Sequence, residues 1–178
     1  SSRLQRLHTS TTESGSSLGA SQYTVAPGAV GGAGTMGFGF PAAIGAQFAN
    51  PGRKVWAVVG DGGFQMTMCE LATAQLHRLP VKVLIVNNNY LGMVRQWQQM
   101  FFDKRYSFTE LDNPDFIKLA EAYGIKAKKV CDRGELAEAV EDMFIHDGPF
   151  FLEVVVEKED NVFPMIATGC SVEEVRLN

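Results

Sequence analysis

Val55-Trp56-Ala57-Val58-Val59-Gly60-Asp61-Gly62-Gly63 and Val81-Lys82-Val83-Leu84-Ile85-Val86-Asn87-Asn88-Asn89 decide how this chain folds. Each begins as a short apolar, β-branched run, which reads as a buried strand. Each ends in small or oxygen-bearing polar residues, which read as the loop at the strand tip. Between them Phe64, Met68, Leu71 and Gln75-Leu76 recur at intervals of three or four, predicting one helix over residues 64–79 that Pro80 stops. A strand–helix–strand unit of this length makes two parallel neighbours with a right-handed crossover. Asp61 and Asn88 then emerge side by side at the carboxyl edge of the sheet, where open parallel sheets bind ligands.

The pattern continues outward. Residues 54–59, 81–86, 125–130 and 150–156 read as strands, and residues 42–48, 64–79 and 135–146 as helices. A further helix starts near Leu91. Another follows Asp112 or Asn113 as cap with Pro114 in its first turn, presents Phe116, Leu119, Ala120 and Tyr123 on one face, and ends at Gly124. Strands alternating with helices predict a three-layer α/β/α fold with a mostly parallel sheet. Residues 1–27, rich in Ser, Thr and Gly, read as an irregular or disordered N-terminal segment. The binding domain is expected to occupy residues 28–178.

Composition narrows the function. A net charge of −4 over 178 residues argues against nucleic-acid binding, which leaves a basic excess. No apolar run approaches the ~20 residues of a membrane span, and the polar start does not resemble a signal peptide. Cys69, Cys131 and Cys170 are far apart and odd in number, as expected of reduced thiols in a cytoplasmic setting. His8, His77 and His146 are scattered and form no site in the sequence. The glutamates, Glu70 among them, read as solvent-facing positions. Glu135, Glu138, Glu141 and Asp142 read as a solvated helix face.

The two strand tips suit a small hard cation and the phosphates it carries. Mg²⁺ takes about six oxygens at roughly 2.1 Å and keeps some water. Asp61 offers charge, Asn88 a neutral amide oxygen, and the Tyr90 backbone carbonyl a third ligand. One carboxylate anchors Mg²⁺ weakly, so the metal should bind together with a phosphorylated ligand. Gly60, Gly62 and Gly63 let backbone approach phosphate, and the helix beginning near Phe64 adds a favourable partial charge. A dinucleotide site is the competing reading, because Gly32-Ala33-Gly34-Thr35-Met36-Gly37 satisfies Gly-x-Gly-x-x-Gly. No convincing strand precedes that match, and the acidic residue it requires would have to be Asp61, inside Gly-Asp-Gly.

Gly-Asp-Gly followed one helix later by Asn-Asn resembles the binding motif of thiamine-diphosphate enzymes. Gly34-Thr35-Met36-Gly37-Phe38-Gly39-Phe40-Pro41-Ala42-Ala43-Ile44-Gly45-Ala46 narrows the resemblance to the acetolactate (acetohydroxyacid) synthase large subunit. So do Leu91-Gly92-Met93-Val94-Arg95-Gln96-Trp97-Gln98, Asn113-Pro114-Asp115-Phe116 and Val162-Phe163-Pro164-Met165-Ile166. The motifs agree in order and spacing over residues 31–166. The resemblance implies that Asp61, Asn88 and Tyr90 bind Mg²⁺ and that Met36 is an apolar wedge bending thiamine diphosphate. It implies that Leu91 and Gly92 offer backbone N–H groups to the diphosphate. Met93, with a cofactor contact of its own, would line the substrate channel with Val94 and Trp97.

The resemblance also implies a reaction: decarboxylation of pyruvate and condensation with a second small 2-keto acid, the first step of branched-chain amino-acid synthesis. No catalytic residue is expected in this chain. The family's activating glutamate sits on a separate pyrimidine-binding domain, and FAD on a middle domain. A Gly-Gln-His-Gln-type segment is missing from residues 3–27. The chain is therefore expected to be inactive alone and to need a pyrimidine-binding domain or a second copy, as a homo-oligomer. Two other readings stay open. One is the diphosphate-binding subunit of a two-chain thiamine-dependent decarboxylase; the other is a non-catalytic remnant of the fold.

Overall fold

Five strands run parallel in one sheet: β1 (Ser10–Thr12), β2 (Trp56–Gly60), β3 (Lys82–Asn87), β4 (Lys126–Val130) and β5 (Phe150–Val155). Their order is β1-β2-β3-β5-β4. This computed structural model describes residues 10–12, 35–167 and 169–177. The parallel architecture expected from the alternating pattern is the one found. One strand is an addition: Ser10–Thr12 lies within the segment read as irregular and pairs with Trp56–Val58 at the sheet edge. Three residues of Ser and Thr carry too little pattern to announce a strand, and the pairing with β2 supplies the hydrogen bonds that make one. The rest of residues 1–27, and the glycine stretch as far as Gly34, lie outside the described residues.

Alternation along the strands sorts side chains onto two faces. Ala57, Val59, Val83, Ile85 and Phe151 face one layer, built from α1 (Gly39–Ala49), α2 (Asp61–Gln65), α3 (Leu71–Leu76) and α5 (Phe116–Ala122). Trp56, Leu84, Phe150, Leu152 and Val154 face the other, covered by Ala139 and Met143 of α6 (Leu136–Ile145). The first layer is keyed by Phe64, whose ring lies 5.7 Å from Phe40, 5.6 Å from Phe116 and 5.1 Å from Phe151. All four rings are buried. Removing one such ring costs about 3–5 kcal/mol.

Two expectations about helices are corrected. The single helix over residues 64–79 is three pieces: α2, a 3₁₀ turn (Met68–Glu70) and α3. The break falls at Met66-Thr67, where Thr67 leaves helical geometry at φ −136°, ψ 21°. Gly37 explains it. A Cβ on Gly37 would come within 3.1 Å of the Met66 Cβ, so the turn carrying Gly37 packs directly on the interruption. The cap of α5 is Asp115, whose carboxylate accepts from the Lys118 backbone N–H at 3.1 Å. Asp112 and Asn113 do not cap it, and Pro114 precedes the helix. Asn113 is drawn into the site described below.

α4 (Gly92–Phe101) follows β3 and turns an unusual face inward. Its buried residues are Arg95 and Gln96. The Gln96 amide clasps the Val162 backbone, accepting from its N–H at 2.7 Å and donating to its carbonyl at 2.9 Å. Arg95 pairs with Glu159 at 3.2 Å and lies over the Tyr90 and Tyr106 rings. Beyond the sheet, β6 (Met165–Ile166) and β7 (Val175–Arg176) form a short antiparallel ribbon. Among the described residues no helix is long and apolar enough to cross a membrane.

Candidate functional site

Parallel pairing of β2 with β3 sets Gly60 opposite Val86. The next residues, Asp61 on one strand and Asn87-Asn88 on the other, therefore leave the sheet at one edge. Both sequence-predicted anchors are deeply buried, Asp61 and Asn88 each 1% exposed. The Asp61 carboxylate accepts from the Asn89 backbone N–H at 3.0 Å and the Asn113 amide at 2.7 Å. It also accepts from the Gly62 backbone. Among the described residues these partners are all neutral. Burial raises the Asp61 pKa above its ordinary value, against the opposing pull of the Asn113 and backbone hydrogen bonds.

The asparagine triplet divides its labour. Asn87 Oδ1 accepts from the Asn89 N–H at 3.0 Å and from Asn113 Nδ2 at 3.1 Å, while its own amide donates to Glu153 Oε1 at 2.8 Å. Asn88 Oδ1 accepts from the Tyr90 N–H at 3.1 Å. Asn88 Nδ2 is buried without a hydrogen-bond partner among the described residues. Asn89 adopts φ 55° and accepts from Asn113 Nδ2 at 3.0 Å. Asn113 thus holds Asp61 and two of the three asparagines through one amide. Its Oδ1 accepts from Gln65 Nε2 at 2.5 Å.

An antiparallel bridge steadies the tip of β3. Tyr90 pairs with Glu110, with Leu91 N–H donating to the Thr109 carbonyl and Leu111 N–H to the Asn89 carbonyl, both at 2.8 Å. This corrects one expectation. The Leu91 N–H is committed to Thr109 and is not on offer to a diphosphate. Its side chain faces the site instead: a Cβ on Gly62 would meet Leu91 Cδ2 at 3.0 Å, Leu111 Cδ1 at 3.1 Å and Met36 Cε at 3.3 Å. Gly62 therefore occupies a position where three apolar side chains converge. Gly92 opens α4, where a first-turn N–H has no intrahelical acceptor. Gly60 caps α2 and Gly63 is buried within it.

The remaining residues lie on α4. Met93 and Trp97 are half-buried, and Val94 is exposed. Trp97 stacks on Phe101 with ring centroids 4.9 Å apart. Among the described residues no three His, Cys, Asp or Glu side chains converge to hold a metal ion.

Sequence reasoning missed three contributors. Asn113 was read as a cap, although Asp115 already supplied one; the surplus was the signal. Glu153 was grouped with solvent-facing glutamates but is 1% exposed. A lone acid inside the apolar run Phe150 to Val156 marked it. Leu111 carries no local signal, because its place depends on the bridge to Asn89. Asp142 stays on the solvated face, pairing there with Lys128 at 2.9 Å.

A family model described as "Thiamine pyrophosphate enzyme, C-terminal TPP binding domain" matches residues 15–154. The match begins inside the segment read as irregular. The acetolactate synthase isozyme 2 large subunit of Escherichia coli K12 is 46% identical over 145 residues, 81% of this chain and 26% of that protein. The mitochondrial acetolactate synthase catalytic subunit of Saccharomyces cerevisiae is 49% identical over 144 residues, 81% of this chain and 21% of that protein. Among solved structures, a thiamine diphosphate-dependent 4-hydroxybenzoylformate decarboxylase of Rhodococcus jostii RHA1 superposes with a TM-score of 0.67. It is 30% identical and covers 72% of this chain and 24% of its own. The chain spans about a quarter of the length of these relatives.

Proposed function

We propose, from the premise that this chain belongs to the thiamine pyrophosphate enzymes as their C-terminal TPP-binding domain, that it is the cofactor-anchoring domain of an acetolactate synthase. Thiamine pyrophosphate and thiamine diphosphate are one molecule. The observation that carries the reading is the juxtaposition of Asp61 and the asparagine triplet at the paired tips of β2 and β3. The 46–49% identity to acetolactate synthases favours this over a decarboxylase, since the structurally similar decarboxylase is 30% identical.

The donor set fits Mg²⁺ and a diphosphate. Asp61 is a buried anion whose described partners are neutral, so a cation would compensate it. Asn88 Nδ2 is a buried donor in want of an acceptor, which a phosphate oxygen supplies. Asp61, Asn88 and the Tyr90 carbonyl are the proposed metal ligands, all hard oxygens. Gly60, Gly62, Gly63 and Gly92 are the proposed backbone neighbours of the diphosphate.

When bound, the cofactor supplies the electron sink for decarboxylation and carbon–carbon bond formation between 2-keto acids. This chain's residues bind, orient and exclude water. Met36, Leu91 and Leu111 form the apolar wall over Gly62 against which the cofactor's middle would bend. Met93, in the first turn of α4, is a proposed cofactor neighbour, and with Val94 and Trp97 it is the proposed apolar lining for a small 2-keto acid.

The activating glutamate is assigned to a pyrimidine-binding domain or a second copy of the chain, and FAD to a middle domain. The proposed domain limits are residues 28–178, extended upstream by the family match from residue 15. A homo-oligomer and a reducing compartment, cytoplasmic or matrix, complete the reading; the free cysteines Cys69, Cys131 and Cys170 support the latter. Calorimetry with thiamine diphosphate and Mg²⁺ tests the anchoring role. Heat that depends on both is expected; none with either overturns it. Turnover of pyruvate is expected when a pyrimidine-binding domain is added and not before.

A further inference from the structure

We infer that Glu153 is a positioning residue, which sets the geometry of the metal-binding tips from the centre of the sheet. The inference rests on the anchoring role proposed above. Glu153 lies on β5 between two strands, its register partners Ile85 on β3 and Lys129 on β4. Its side chain points to the same face as Phe151, towards the layer that contains α2 and α5. There one oxygen serves two donors: Oε1 accepts from Lys129 Nζ at 2.8 Å and from Asn87 Nδ2 at 2.8 Å. The other oxygen, Oε2, is buried without a partner among the described residues.

A buried carboxylate with one unsatisfied oxygen costs stability. Lys129, half exposed, offsets part of that cost from the edge strand. What the arrangement secures is the rotamer of Asn87. With its amide nitrogen committed to Glu153, Asn87 must turn its Oδ1 the other way. That oxygen receives Asn89 N–H and Asn113 Nδ2, and Asn113 Nδ2 reaches Asp61 Oδ2 at 2.7 Å. A continuous hydrogen-bonded path therefore runs from Lys129 through Glu153, Asn87 and Asn113 to Asp61. Asn88, the amide ligand, is held between Asn87 and Asn89, both fixed by this path.

An apolar residue at 153 would leave Asn87 Nδ2 buried and unsatisfied, free to flip and offer a donor where Asn113 and Asn89 need an acceptor. A glutamine keeps an acceptor for Asn87 while removing the charge. The two substitutions separate geometry from electrostatics.

The test measures Mg²⁺-dependent thiamine diphosphate binding by calorimetry on the full chain, with thermal melts in parallel at a temperature where all variants stay folded. Glu153→Gln is expected to bind within about threefold of the wild type. Glu153→Leu is expected to bind at least about tenfold more weakly. Equal affinity for Glu153→Leu and the wild type overturns the inference, as does an equal loss in both variants, which would make charge the relevant property. Should Glu153→Leu fail to fold, Glu153→Ala, alone and combined with Asn87→Ala, takes its place. The expected result is a tenfold loss in each single variant that the double variant does not deepen; additive losses overturn the coupling. A wild-type chain that binds no cofactor overturns the anchoring role itself, whereas failure of the positioning role leaves wild-type binding intact.

Discussion

Asn113 Nδ2 donates to Asp61 Oδ2 at 2.7 Å, joining the approach to α5 to the tip of β2 across 52 positions of sequence. The same amide reaches Asn87 and Asn89. One neutral side chain thus fixes the Asp61 carboxylate together with two residues of the loop facing it.

Asn113→Ala removes four hydrogen bonds and leaves a buried carboxylate short of a donor. Stability should fall by about 1–3 kcal/mol. Mg²⁺-dependent cofactor binding should weaken at the same time, because Asp61 loses its orientation. Chemical denaturation and calorimetry on the same preparation check both; a change in stability without a change in binding contradicts the second.

Asp61→Ala should abolish the Mg²⁺ dependence of thiamine diphosphate binding while leaving the fold in place. The carboxylate is desolvated and described partners do not neutralise it, so the ligand-free chain gives up little stabilisation when it goes. Thermal melts with and without Mg²⁺ plus cofactor read the difference. The wild type should melt higher with both present and the variant should not respond; an undiminished response removes Asp61 from the metal site.

Gly37→Ala tests the packing behind the break between α2 and α3. Gly37 adopts φ +83°, and a Cβ there would stand 3.1 Å from Met66 Cβ, an atom bonded to the backbone that cannot swing aside. Strain in the left-handed region costs roughly 1–2 kcal/mol for a residue with a Cβ. The variant should lose at least that much in a denaturant titration; a loss below about 0.5 kcal/mol would show that the turn relaxes freely.

Lys82 provides a pH dependence. It is fully buried on β3, with Nζ donating to the carbonyls of His146 and Gly148 at 2.6 and 2.7 Å. Burial, reinforced by Lys54 and opposed by Asp147, pushes its ammonium from 10.5 down to about 8. Between those values the unfolded chain holds more protons than the folded one, so this group's contribution to stability rises with pH. Lys82→Met lacks the rise. The melting temperature of the wild type relative to Lys82→Met should increase between pH 8 and pH 10.5. A flat or falling difference contradicts the shift.

Where the sequence was legible, short-range rules sufficed. Short apolar runs rich in β-branched residues at Val55–Val59 and Val81–Val86 marked buried strands, and strand–helix–strand spacing fixed their parallel pairing. Asp61 and Asn88 then followed from topology, because residues after paired strands must emerge together. The illegible parts depended on contacts distant in sequence. Asn113 looked like a cap because capping and site-holding use the same amide chemistry. Leu91 looked like a backbone donor until the Asn89–Leu91 and Thr109–Leu111 segments paired. The 64–79 helix looked continuous because its periodicity survives an interruption on which Gly37, a residue nearly thirty positions upstream, packs. Glu153 and Lys82 were visible as charges in apolar strands, but their roles required the partners that only the fold brings near.

The bridge at Tyr90 has a wider consequence. The backbone departs at Asn89–Leu91 and returns at Thr109–Leu111, stitched together at its neck by two hydrogen bonds. The segment between, α4 included, leaves and re-enters the fold through that neck, with the Gln96 clasp on Val162 as a second tether. Under the proposed function, substitutions at the exposed Val94 would alter the acceptor lining while the neck keeps Asn89 and Leu111 in place.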